Sequence, residues 1–219
     1  QRQMCIRDSL RDVMDLYGSP KCPHTNAVLI AAGEKGVDIN SHVEDDWGPS
    51  SSIRSMSPLG IGPVLKARSA VNSGVVSCMS YLDDKGFGPS LVHRNGVTRA
   101  RMFQEISIAQ QTDCSDDAAL AAALDQLEAT LNSPLGNMKG DYCVGQYTLA
   151  DCAWAGVCQV ATNMGKGTAV SSRSAVNTWF AAVQSHPSTS KEAINPFSCL
   201  STKADHDGNS MRDVRINTA

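Results

Sequence analysis

A chain of 219 residues has room for one large or two small domains, and 42% hydrophobic against 19% charged residues supplies enough apolar surface for a globular core. A formal net charge of -3 leaves no basic excess to attract nucleic acid, which is excluded as an expected partner. No apolar stretch approaches the roughly 20 residues that cross a bilayer, and the first residues lack the apolar run of a secretory signal, so a soluble cytoplasmic protein without a membrane partner is expected.

In chain order, residues 1–9, QRQMCIRDS, carry charge without periodicity, and residues 1–12 read as an extension or artefact outside the fold. Val13 to Tyr17 is predicted as the first strand, followed by a Gly-Ser-Pro turn. A helix follows from Pro23 to Lys35, with Ala27, Ile30 and Ala31 on one face and Gly36 as its stop, and Val37 to Val43 makes a second strand. The serine- and proline-rich stretch 48–58 predicts an irregular or one-turn helical crossover. Pro63 to Lys66 and Ala70 to Asn72 are separated by too short a turn for anything but an antiparallel pair, and after Ser73 a helical segment runs to about Asp84.

Beyond a Gly/Pro-containing linker at 87–96 the pattern is helical. Leu120, Leu124, Leu127 and Leu131 recur at steps of four, three and four, the stripe of an amphipathic helix. Thr148 stands three residues before Asp151 ahead of an apolar run, a capping box with Asp in place of the usual Glu or Gln. A last helix, Ala175 to Gln184, ends before His186-Pro187. The expected architecture is therefore α/β plus all-α: a βαβ-ββα domain at 13–86, the linker at 87–96, an all-helical bundle at 97–195 and a flexible tail at 196–219.

The eight cysteines (5, 22, 78, 114, 143, 152, 158 and 199) contain no Cys-x-x-Cys pair, which signals neither a zinc site nor a disulfide framework. His24, His42, His93, His186 and His206 are scattered without ligand spacing, and no metal is expected.

Three places carry candidate chemistry. In LYGSPKCPHT, a helix starting at Pro23 makes Cys22 its N-cap, where unpaired N–H groups at the positive end of the helix favour thiolate. The alternative is a small buried residue that happens to begin a helix. The partner position of a dithiol motif is Thr25, so a redox cycle here needs an external thiol. In GIGPVL, Gly62-Pro63 is a candidate cis peptide that would leave backbone groups facing a cleft, or else an ordinary trans turn. In VNSGVV, Asn72 and Ser73 lie where a strand becomes a helix, and Ser73 either offers its hydroxyl and nearby amides to a carboxylate or is a plain N-cap.

These motifs, in this order, resemble the soluble glutathione transferases: LYGSPKCPHTNAVLIAAGEKGV their first strand and helix, SPLGIGPVL their cis-proline loop, and VNSGVVSCMSYLDD their E-S-x-A-I-x-x-Y-L segment. GQYTLADCAWA and VNTWFAAVQSHPS resemble the capping box and closing motif of their helical domain, so that the likeness spans about 13–190. The resemblance implies a thioredoxin-like glutathione-binding domain, an all-helical domain that builds most of the second-substrate pocket, and a homodimer. It further implies glutathione as cosubstrate, held by Gly62, Pro63, Asn72 and Ser73, with Cys22 at the catalytic position. Cysteine there is the pattern of the omega-like and dehydroascorbate-reductase-like classes, in which the residue forms a mixed disulfide and thiol transfer or reduction is favoured over conjugation to an electrophile. A non-catalytic transferase-like binding or protein-interaction module is the alternative.

Overall fold

The computed structural model describes residues 13–44, 51–57, 60, 62–68, 70–132 and 140–186, so the expected extension at 1–12, the tail at 196–219 and the end of the helical half from 187 lie outside the described residues. The first strand, β1 (Met14–Gly18), alternates buried and half-buried positions, as a strand with one covered face must. It pairs in parallel with β2 (Ile39–Val43) and antiparallel with β3 (Val64–Ala67), which pairs antiparallel with β4 (Ala70–Ser73); the order across the sheet is β2-β1-β3-β4.

The crossover from β1 to β2 is helix α1 (Pro23–Glu34). Its start is set by Pro23 and an extended Cys22 (φ -92°, ψ 122°), and its stop by Gly36, whose φ of 59° suits a residue without Cβ. In the serine-rich segment a short helix, α2 (Ser52–Met56), is capped by the Ser51 side chain, which accepts from the Ile53 N–H at 3.1 Å. Helix α3 (Val75–Lys85) follows β4. Its N-cap is Gly74 at φ 83°, which corrects the expectation that Ser73 caps this helix: Ser73 is the last residue of β4, and the left-handed turn into the helix falls on the glycine.

The second half contains α4 (Gly96–Gln111), α5 (Asp117–Asn132), α6 (Leu149–Ala161), a wider kinked turn Thr162–Lys166, α7 (Gly167–Ser171) and α8 (Ser174–Gln184). Leu120, Leu124 and Leu127 face the core along α5. Helix α6 is buried along its whole length, and its start is held by Asp151, whose carboxylate accepts from the Thr148 N–H (2.9 Å), the Cys143 N–H (3.0 Å) and Trp179 Nε1 of α8 (2.9 Å). Helix α8 is capped from a distance: the Glu128 carboxylate of α5 accepts the Ala175 and Val176 N–H groups at 3.1 and 2.8 Å.

The two halves share one continuous apolar core. Its largest helix contact is α1 against α6, made possible by Gly156, where a Cβ would lie 2.4 Å from the Pro23 carbonyl oxygen. A buried ion pair adds a polar clamp. Lys35, only 2% exposed, reaches Asp83 of α3 at 3.0 Å and the Pro89 carbonyl at 2.9 Å, while Asp83 also accepts the Leu91 N–H. The end of α1, the end of α3 and the connection toward α4 are thus tied at one point.

Candidate functional site

The sheet register brings the candidate residues to one end of the domain. Tyr17 of β1 lies opposite Val64, and Val64 opposite Ser73, so the exit of β1, the entry of β3 and the exit of β4 are level. Gly62-Pro63, a cis peptide, leads into β3, and the Pro63 carbonyl accepts the Gly74 N–H at 2.9 Å. With that amide committed, and the first bond of α3 running from the Cys78 N–H to the Gly74 carbonyl at 3.1 Å, the amides without a helical partner are those of Val75, Val76 and Ser77. Asn72 stands opposite Leu65, and its Nδ2 is buried without a hydrogen-bond partner.

From β1 the chain makes one turn, closed by the Cys22 N–H on the Ser19 carbonyl at 3.0 Å, and enters α1 at Cys22. The Cys22 carbonyl accepts both the Asn26 N–H (3.2 Å) and Asn26 Nδ2 (2.8 Å), fixing the first turn. The Cys22 thiol is half-buried. Burial pushes its pKa up, but the His24 imidazole and the amides of Thr25 and His24 outweigh that, and the net direction is below an ordinary cysteine.

The other described cysteines, all free thiols, go the opposite way. Burial drives Cys78 up to about 12 and Cys114 up to about 11, and Cys143, Cys152 and Cys158 well upward. Among the described cysteines, Cys22 alone combines access with an environment that favours thiolate.

His24 is a contributor that the sequence pattern did not single out. Its Nε2 lies 3.2 Å from the Gln110 carbonyl at the end of α4, and since a carbonyl only accepts, Nε2 carries the proton. Its pKa is raised, chiefly by the hydrogen bond with Cys22, against the pull of burial. The Cys-x-His spacing across a helix start was the available signal. Among the described residues, no group of three His, Cys, Asp or Glu side chains is arranged to hold a metal ion, and no helix is long and apolar enough to cross a membrane.

No family model matches the chain. Two curated relatives are both named stringent starvation protein A homolog: one from Coxiella burnetii, 32% identical over 91 residues, and one from Pasteurella multocida, 27% identical over 154 residues. The matched segments cover 42% of this chain and 44% of the first relative, and 65% of this chain and 72% of the second, so the chain spans less than half the length of the first.

Among solved structures, a glutathione S-transferase from Methylobacillus flagellatus KT with GSH bound superposes with a TM-score of 0.68 at 18% identity, covering 85% of this chain and 98% of that one. A delta-class glutathione transferase from Nilaparvata lugens gives 0.66 at 22% identity, covering 85% and 99%. The chain adopts the soluble glutathione transferase fold. FzlA from C. crescentus has the same architecture, with a TM-score of 0.67 at 19% identity over 80% of this chain and 89% of that one. Within this glutathione transferase fold the exit of β1, the cis-proline and the start of α3 share one end of the sheet, and in this chain Cys22 stands there with His24 beside it.

Proposed function

We propose that the protein is a glutathione-dependent thiol transferase, in which Cys22 takes up the glutathionyl group of a disulfide and a second glutathione regenerates the thiol. The observation that carries this reading is the contrast among thiols: Cys22 is the one described cysteine whose environment favours the reactive, ionised form, and it stands at the helix start that follows β1, whose exit is level with the strand that the cis-proline enters. The surrounding groups fit a γ-glutamyl peptide. Asn72 offers an amide oxygen to its ammonium group, Ser73 and the amides that open α3 offer donors to its carboxylate, and the backbone at Gly62 and Pro63 suits its cysteinyl part. That a solved structure of this fold carries GSH supports the choice of ligand. The proposed units are 13–86 for glutathione and 97–195 for the second substrate, joined by 87–96, acting in the cytoplasm as a homodimer.

Purified protein is expected to reduce a glutathione mixed disulfide or dehydroascorbate with glutathione as donor, and Cys22→Ala to abolish turnover; unchanged turnover in the variant refutes the assignment. Intact mass after treatment with oxidised glutathione should increase by one glutathione, carried on the Cys22 peptide. Cys22→Ser should lose reduction and gain conjugation of glutathione to an electrophile, because a hydroxyl can polarise the bound thiol but cannot form the mixed disulfide.

A second reading, a non-catalytic binding module, is favoured by the name shared by the two curated relatives, which is not that of a transferase. Failure to bind immobilised glutathione, together with a stable stoichiometric protein complex, would select it.

A further inference from the structure

The turn that delivers Cys22 to the start of α1 is held by a side chain from within that helix. Asn26 is 0% exposed, and its Nδ2 donates to the Pro20 carbonyl at 2.9 Å and to the Cys22 carbonyl at 2.8 Å, so that the two hydrogens of the amide go one to each. Chemistry fixes this orientation: turned over, the amide would set its oxygen against two carbonyl oxygens. The other end of the group goes unserved, because Oδ1 is buried without a hydrogen-bond partner. A buried acceptor without a donor lowers stability, and an aliphatic side chain of similar size would avoid that loss. The Cys22 carbonyl already accepts the Asn26 backbone N–H at 3.2 Å. What the side chain adds is therefore the bond across the turn to Pro20.

We propose that Asn26 is a positioning residue for the Cys22 thiol, tying the Pro20–Cys22 segment to α1 so that the sulfur is held at the open end of the helix. The proposal rests on the reading of Cys22 as the nucleophile. Two further bonds shape the segment: the Cys22 N–H donates to the Ser19 carbonyl at 3.0 Å, and the Lys21 N–H to the Ser19 hydroxyl at 3.2 Å. Those bonds close the turn on itself, whereas the bond from Asn26 to Pro20 joins it to the helix.

The joint matters because of what the helix end offers. Pro23 has no N–H, and the first helical bond runs from the Asn26 N–H to the Cys22 carbonyl, so the amides left open at this end are those of His24 and Thr25. Cys22 is extended (φ -92°, ψ 122°), the conformation in which a capping side chain is presented to such amides. They favour thiolate only while that conformation is kept.

The test is a pair of substitutions read by the pH profile of Cys22 alkylation with iodoacetamide, as mass on the Cys22 peptide. Asn26→Leu removes both side-chain bonds together with the orphaned acceptor, and leucine has the higher helix propensity, so α1 itself is not weakened. Asn26→Thr keeps a hydroxyl that can donate to the carbonyl four residues back, that of Cys22, but does not reach Pro20. Both variants should raise the alkylation midpoint by about one unit, a roughly tenfold loss of rate on the acid side of the profile. In turnover of a glutathione mixed disulfide, kcat should fall while KM for glutathione is kept, since Gly62, Pro63, Asn72 and Ser73 are untouched. A merely structural Asn26 would change Tm and leave the midpoint where it is. An unchanged midpoint in folded Asn26→Leu, a wild-type profile in Asn26→Thr, or a raised KM with kcat kept overturns the proposal.

If neither variant folds, the side-chain amide protons of Asn26 in the wild-type protein decide, followed by heteronuclear NMR. Both should exchange slowly with solvent, and both resonances should move over the pH range in which Cys22 alkylation sets in; fast exchange, or resonances indifferent to that pH, overturns the proposal. Failure of the parent reading looks different, namely the stated alkylation shifts with no glutathione turnover in the wild-type protein.

Discussion

Gly156→Ala separates two opposed effects by sign. In an isolated helix the substitution stabilises by roughly 0.8–1 kcal/mol, because alanine has the higher helix propensity. In this protein the added methyl meets the Pro23 carbonyl oxygen at 2.4 Å, the Ala27 nitrogen at 2.9 Å and the Ala27 Cα at 3.3 Å. These are backbone atoms of the first turn of α1, which cannot rotate away as a side-chain end would. Overpacking of this kind costs about 1–3 kcal/mol, and a rigid backbone contact belongs at the upper end. The net effect expected is a loss of about 2 kcal/mol, or a Tm lowered by roughly 4–8 °C for a chain of this size. Thermal and urea unfolding of the two proteins measure it. The same movement displaces the turn that carries Cys22 and His24, so the alkylation midpoint of Cys22 should change with the stability. A Tm equal to or above that of the wild-type protein would show that α1 and α6 are not in backbone contact at Gly156, and would refute the account of how the two halves meet.

Three further outcomes follow from polar groups that hold the elements together. Lys35→Ala leaves the Asp83 carboxylate without its cation in a closed site and should cost about 3–5 kcal/mol, read by urea unfolding. Asp151→Ala leaves the amides of Thr148 and Cys143 and the Trp179 indole N–H without an acceptor; at about 1–3 kcal/mol for each buried donor, the variant should accumulate mainly unfolded, and recovery in soluble form is the first measurement. Glu128 is held below the ordinary carboxylate range: burial pushes it up, but the Val176 and Ala175 amides pull it down further. A depressed carboxylate contributes stability that is present above its unfolded pKa and disappears as pH falls through its folded pKa, so removing the group should flatten the acid side of the stability profile. Glu128→Gln should therefore melt lower than the wild-type protein at neutral pH, by about 0.5–2 kcal/mol for a lost helix cap, with the gap closing in acid.

The elements that local chemistry determines were legible in the sequence. Pro23 after an extended Cys22, Gly36 at the far end, the leucine stripe of α5 and Thr148 with Asp151 each state a start, a stop or a buried face within a few residues, and each is found where those residues stand. The cap of α3 shows where such reading slips. Serine is the stronger cap by preference, but the chain must reverse from β4 into the helix through φ 83°, a conformation open to Gly74 and costly for Ser73. Backbone geometry overrode side-chain preference, and the frame moved by one residue.

What the sequence could not supply are the partners that folding brings from far away. Lys35, in the last turn of a helix, has the pattern of a solvated cation, and its burial follows only when Asp83 and the Pro89 carbonyl converge on it. His24 is the sharper case. Its orienting partner is a backbone carbonyl, which any residue at position 110 would provide, so no side-chain identity in α4 could have announced it. The environment of the Cys22 thiol is thus written in two layers. The helix start, readable in CPHT, supplies amides that favour thiolate, and the docking of α4 against that turn holds the neighbouring His24 imidazole at the Gln110 carbonyl. Substitutions at the interface of the two halves, far from any ligand contact, should therefore tune the thiol as effectively as substitutions beside it.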